Sequence, residues 1–470
     1  MTLSVQQRGN TFLVVVVCLL TLAICAPFSG HDWQRVVQIA VALCAVVYGL
    51  CLSQAERCVD RPTVLGVLLI GLAGLVSALL AHQPLWALTE LALLISCGAI
   101  AVAFSRARRN GDESLDRVLI LFVLLLCMIK SIQYLHAGVL AFTSGESVVD
   151  PDLLLSGFSN KRFYGQFQTF TLPLLALPLL VSNVARPARA AVFALLCVWW
   201  LIAISGGTRG TWLGMGVAGS VLMFLGLQGR RWVVLQLAAL ACGLLLYWLV
   251  FSVLARYLGI EISNAAADRL TTSLSGRGPI WWQAWQMILE RPWLGFGPMH
   301  FADIANDIAA HPHQAILQWA SEWGVPSTLG VIALVTWAGW ATIGVLRDRV
   351  LSWAPVDLLR LCLFASLVGA LTQAMVDGVI VMPVSQLWLS LVAGWLMALH
   401  VWRTPAITPS PILAKMWTAA SVVSVGMLVF IAIRDVPHLT ERIQHYMMGL
   451  GQDHLQPRFW AQGVIALPKQ

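Results

Sequence analysis

An all-α polytopic membrane protein is the fold class that this sequence predicts, and three observations predict it. Of the 470 residues, 59% are hydrophobic and only 11% are charged, with a mean hydropathy of +0.80. No water-soluble surface of ordinary polarity can be built from that composition. The apolar residues also fall into about thirteen stretches close to the twenty residues that cross a bilayer core. Finally, the basic residues stand in short clusters between those stretches.

In chain order the spans are expected near 11–27, 34–52, 63–81, 85–105, 118–142, 165–183, 188–205, 211–227, 232–254, 326–346, 359–380, 384–402 and 413–433. The first follows Arg8 and has the outline of a signal peptide. It is long, however, and a dozen others follow, so it reads as a retained helix. The ten cysteines are scattered, mostly inside apolar spans, with no CxxC pair, and read as small core hydrophobes.

A net charge of +7 would suit a nucleic-acid partner. The placement of the charge indicates membrane topology instead, and no nucleic acid is expected. With the N-terminus in the cytoplasm, the short loops holding Arg57 and Arg61, Arg106 to Arg117, Arg186 and Arg189, Arg230 and Arg231, Arg347 to Arg360, and Arg403 with Lys415 all face inside. On the other face Arg35, the pair Lys161 and Arg162, and Arg209 are exceptions that topology does not explain. The chain thus divides into helices over 1–254 with an outer loop near 143–164, a large outer loop over 255–325, helices over 326–433, and a tail over 434–470. An odd number of spans puts that tail outside; an even number puts it inside.

The large loop carries most of the candidate chemistry. From Ser275 to Gly297, Pro279 suits a first helical position and Pro292 an end, which predicts a helix rich in Trp281, Trp282 and Trp285 lying in the membrane interface. Arg277 would stand just before its N-terminus, where a guanidinium and free N–H groups both attract phosphate; snorkelling to lipid headgroups is the alternative. Further on, Pro312 is expected to open a helix that Gly324 ends, placing His313 in its first turn. There the helix dipole favours the neutral imidazole that a general base requires, although a structural hydrogen-bonding histidine is the plainer reading. His311 and His313 lack a third partner for zinc, so no metal is expected.

Between the seventh and eighth spans, Ser205-Gly-Gly-Thr208-Arg209-Gly210-Thr211 combines flexible backbone with a cation at the mouth of the bundle, and it is not a nucleotide P-loop. Lys161 and Arg162 precede the sixth span and suit phosphate or headgroups alike. Glu90, Lys130 and Asp377 are costly in hydrocarbon and should face the interior, Asp377 near the outer end of its helix, where it can orient a cation or a histidine. Four cations and one candidate base on a single face suit a lipid-linked pyrophosphate substrate.

These segments resemble the O-antigen ligase and O-antigen polymerase superfamily of bacterial inner membranes. The likeness rests on Thr208-Arg209-Gly210-Thr211-Trp212-Leu213, on Gly276-Arg277 with Trp281 and Pro292-Trp-Leu-Gly-Phe-Gly, and on His311-Pro-His313-Gln314 followed by Glu322-Trp-Gly324, all in the family's order. The resemblance implies a GT-C-like helical bundle with a helical periplasmic loop. It also implies a glycosyltransferase that moves a glycan from undecaprenyl pyrophosphate to an acceptor at the periplasmic face, a sugar of lipid A-core in the ligase branch, with neither nucleotide nor metal and no other cofactor. By the same implication His313 is the catalytic base and Arg209 and Arg277 hold the pyrophosphate, with Lys161 and Arg162 a looser match and Asp377, His311 and Gln314 in support. A polymerase uses the same donor and a second lipid-linked glycan. A protein O-oligosaccharyltransferase usually adds an outer C-terminal domain. A transporter would show inverted repeats and midplane charges.

Overall fold

The computed structural model describes residues 4–26, 30–52, 60–263, 276–401, 410–448, 458–460 and 465. Each predicted span coincides with a helix. They are α1 (Val5–Cys25), α2 (His31–Leu50), α3 (Arg61–Leu79), α4 (Pro84–Asn110), α5 (Ser114–Thr143), α6 (Lys161–Leu175) continued by α7 (Leu177–Leu180), α8 (Arg186–Ser205), α9 (Arg209–Met223), and α10 (Gly226–Trp248) continued through a π-helical turn into α11 (Ala255–Tyr257). The loop helices α12 (Arg277–Glu290) and α13 (Ala315–Trp323) follow. The chain then returns through α14 (Val325–Asp348), α15 (Pro355–Ala374), α16 (Pro383–Leu399) and α17 (Pro411–Asp435), with a short α18 (Leu439–Met447) beyond. The protein is an all-α multi-pass membrane protein. Among the described residues ten helices are long and apolar enough to cross a membrane, and α16 is a shorter apolar helix.

The remaining two spans, α6 with α7 and α9, are short for reasons visible in the sequence. Pro178 falls in the first turn of α7 and breaks the sixth span, because a proline ring has no N–H to continue the ladder. The fifteen residues of α9 rise only about 22 Å, against a hydrocarbon core of ~30 Å.

The layers follow burial. The most extensive packing is of α4 on α16, α9 on α15 and α8 on α10, and Trp199, Trp388 and Trp395 are fully buried. On the outside α3 and α14 show Leu65, Leu69, Leu72, Leu329 and Trp340 to the surroundings, an apolar face that only lipid suits. At one end of the bundle, Arg108 and Trp395 both bond Asp116, Arg109 donates to the Met397 carbonyl (2.7 Å), and Arg360 pairs with Asp357 and donates to the Leu399 carbonyl. These are the clusters expected to face inward; Arg57 and Arg403 lie outside the described residues.

The costly charges inside the spans are each satisfied. Lys130 donates to the Ser156 carbonyl (2.6 Å) and to Gln133 (2.8 Å). Glu90 accepts from Arg458 (3.0 Å). Arg35, one of the topological exceptions, is buried and structural, donating to Gln386 (2.8 Å) and the Val381 carbonyl (3.0 Å).

Candidate functional site

Three helices begin at one place, at the bundle end opposite the arginine clusters, and each has an arginine among its first two residues. In α6 the Asn160 side chain caps the helix by accepting from the Arg162 N–H (2.9 Å). In α9 Arg209 is the first residue, after a turn in which Gly207 takes a φ of 58°. In α12 Arg277 is also first, capped by Gly276 at φ 75°, a backbone state that glycine adopts without cost. The helix was expected to open at Pro279. It starts two residues earlier because Gly276 supplies the left-handed cap, so Arg277 lies inside the first turn and not before it.

Arg162, Arg209, Arg277 and Asp377, with Gly207, Thr208, Gly210, Leu213 and Val376, line a cavity of about 450 Å³. That lies within the roughly 300–1,000 Å³ common for small-molecule sites. Three guanidiniums against one carboxylate leave it positive, and the N–H groups of three helix starts add to the field. Close packing fixes the arginines. A Cβ on Gly165 of α6 would stand 2.4 Å from Thr208 Oγ1, and one on Gly214 of α9 would stand 2.6 Å from the Gly369 carbonyl oxygen of α15. Only glycine lets these three helices approach so closely. Burial lowers the Arg277 pKa, and the neighbouring Arg162 lowers it further.

Asp377 stands in the turn between α15 and α16, its Oδ1 accepting from the Gly378 N–H (2.8 Å). Burial raises its pKa, while that hydrogen bond and the Arg162 and Arg277 charges oppose the rise. Across from it, His313 Nδ1 lies 3.9 Å from Asp377 Oδ1, beyond hydrogen-bond length. This nitrogen is buried and has no hydrogen-bond partner among the described residues.

His313 is not in the first turn of a helix. Gln314 is the N-cap of α13, its side chain accepting from the Leu317 N–H, and His313 precedes it with a φ of 53°. The imidazole therefore does not sit in the helix dipole expected to keep it neutral, and other causes act on it. Burial first, then the Arg162 and Arg277 charges, push the His313 pKa down to about 3. His311 is pushed well below the ordinary range by burial, then by His313. Its Nδ1 accepts from the His313 N–H (3.2 Å), and the two rings stand 4.1 Å apart, edge to face. Trp281 Nε1 donates to the Pro312 carbonyl (2.9 Å) and ties the histidine segment to α12.

Of the residues expected at the site, the structure thus gathers Arg162, Arg209, Arg277, Asp377 and His313, with His311 behind. It does not gather Lys161, which pairs with Asp152, nor Gln314, which is spent on capping. Among the described residues no group of three His, Cys, Asp or Glu is arranged to hold a metal ion. Sequence reasoning missed Asp152 and Arg458. Asp152 lies in the same outer loop as Lys161 and was readable as its counter-charge; Arg458 stands beside Phe459 and Trp460 in the amphiphilic tail, and that cluster was the available signal.

Residues 191–332 match the family model described as O-antigen ligase. The match runs from α8 into α14 and includes Arg209, Arg277 and His313, while Arg162 and Asp377 lie outside it. Comparison with curated proteins returned no match.

Proposed function

We propose, from the match of residues 191–332 to the family model described as O-antigen ligase, that the chain is an O-antigen ligase. In this reading it transfers a glycan from undecaprenyl pyrophosphate to a sugar hydroxyl of lipid A-core at the periplasmic face of the bacterial inner membrane. The observation that carries the reading is the convergence of Arg162, Arg209 and Arg277 on one cavity with Asp377, beside the neutral His313.

Pyrophosphate suits that cavity because a planar guanidinium offers paired donors to phosphate oxygens, and three of them neutralise the charge that grows as the bond to the leaving group breaks. The acceptor hydroxyl oxygen forms a bond to the anomeric carbon of the glycan. The bond from that carbon to the pyrophosphate oxygen breaks, and its electron pair leaves with undecaprenyl pyrophosphate. The hydroxyl proton passes to His313. A closure of about 1 Å would bring Nδ1–H within hydrogen-bond reach of Asp377. The carboxylate would then orient the ring, stabilise the imidazolium, and leave Nε2 to take the proton. The exposed Trp282, Trp285 and Trp293 around α12 suit the headgroup layer through which the polyprenyl chain enters.

The test is to mix the purified protein with an undecaprenyl-pyrophosphate glycan, with and without lipid A-core. Glycan on lipid A-core is the expected product, and its formation should be unchanged by EDTA. Longer lipid-linked glycan without an added acceptor would make the chain a polymerase. Absence of any transfer would remove the enzymatic reading.

A further inference from the structure

Three residues of the tail are built into the outer end of the bundle. Arg458, Phe459 and Trp460 are all buried, and Arg458 holds a left-handed backbone, φ 64°, that a residue other than glycine keeps only when its surroundings enforce it. The Arg458 guanidinium donates to both oxygens of Glu322 (2.7 and 3.0 Å) and to Glu90 of α4 (3.0 Å). Glu322 belongs to α13, the helix that His313 leads into. Its carboxylate also accepts from the Phe301 N–H (3.0 Å) and its carbonyl from the Gly297 N–H (2.9 Å), so it gathers the loop around α12 as well.

The next residue reaches the other half of the site. The Phe459 carbonyl accepts from Arg35 Nε (3.3 Å), and the Arg35 guanidinium stands over the Phe459 ring, 5.1 Å from its centre. Arg35 in turn donates to the Val381 carbonyl (3.0 Å), in the turn that carries Asp377. Trp460 anchors the segment by donating to Asp435 at the end of α17 (2.9 Å). The tail thus grips, from one side, the helix after His313 and, through Arg35, the turn holding Asp377. The 3.9 Å between His313 and Asp377 is the gap between these two gripped segments.

We infer that Arg458 is a positioning residue, and that the tail acts as a strap setting the approach of His313 to Asp377. The inference rests on the reading of this site as a transferase. Without the guanidinium, Glu90 and Glu322 face each other buried and unpaired, and the repulsion displaces α13.

Full-length Arg458→Ala and Arg458→Lys decide it, using the undecaprenyl-pyrophosphate glycan and lipid A-core as substrates. For Arg458→Ala the expected result is a fall in kcat of at least about tenfold with the donor KM within about threefold. Arg458→Lys, which restores the charge without the fork, should recover part of it. Amide exchange should rise across residues 311–323 and 376–382. An unchanged kcat in folded Arg458→Ala, or a rise in donor KM in place of the fall in kcat, would overturn the inference. If Arg458→Ala cannot be recovered folded, Arg458→Lys decides alone: lowered kcat with raised exchange supports the strap, and parental values of both refute it. If the parent transfers nothing, the transferase reading fails, while the exchange of Arg458→Lys against the parent still decides whether the tail positions the two segments.

Discussion

Burial and two guanidiniums oppose the protonation of His313. With its pKa near 3, the imidazole is neutral throughout the physiological range. The folded-state value lies below the ordinary 6.5, so this group's contribution to stability is complete above pH 6.5 and is lost as pH falls toward 3. For catalysis, kcat/KM reports the free enzyme and should show no His313 acid limb between pH 7 and 5. A bound pyrophosphate neutralises Arg162 and Arg277, removing two causes of the shift, so the acid limb of kcat should lie at higher pH than that of kcat/KM. An acid limb near 6.5 in kcat/KM would contradict the account. His313→Ala should cost about 10²–10⁴ in transfer rate, measured with folded protein. The sequence located this histidine but misplaced it relative to its helix. Pro312 looked like a helix opener, yet a fixed φ suits a turn equally well, and Gln314 is a less common capping residue than Ser, Thr, Asp or Asn.

At the scale of elements, the cavity depends on the contact of α6, α9 and α15 through glycine. Gly214→Ala sets a methyl 2.6 Å from a carbonyl oxygen of the facing helix, which backbone cannot evade by a rotamer change. It should cost about 1–3 kcal/mol by thermal unfolding in detergent and weaken donor binding by shifting Arg209. Gly138→Ala, where no atom would lie within 4 Å of the new methyl group, is the control and should do neither. Removing Arg458 breaks a buried ion-paired group and should lower stability by about 3–5 kcal/mol. The helices themselves were legible because hydropathy is a local property. Their glycine contacts were not, since Gly214 and Gly369 become neighbours only once the bundle is assembled.

The whole molecule has a polarity of its own. Arginine clusters gather at one end, while the opposite end holds the cationic cavity, the long loop and the tail. Hydropathy alone left the parity of the spans open, and with it the side of the tail. The contact of Arg458 with Glu322 sets Arg458, Phe459 and Trp460 on the side of the long loop. That contact joins positions 136 residues apart, and the one to Glu90 joins positions 368 apart; no periodicity or motif announces such a pairing. A reporter fused to the C-terminus and active only in the periplasm should be active, and a cytoplasmic result would contradict the arrangement.

Whether three arginines hold a pyrophosphate beside a neutral histidine is decided by measuring undecaprenyl pyrophosphate binding to the purified parent, Arg162→Ala, Arg209→Ala, Arg277→Ala and His313→Ala proteins. Each arginine substitution should weaken binding by about 1.5–3 kcal/mol, as expected for a hydrogen bond to a charged group, while His313→Ala should bind as the parent does. Parental affinity in all three arginine variants would contradict it.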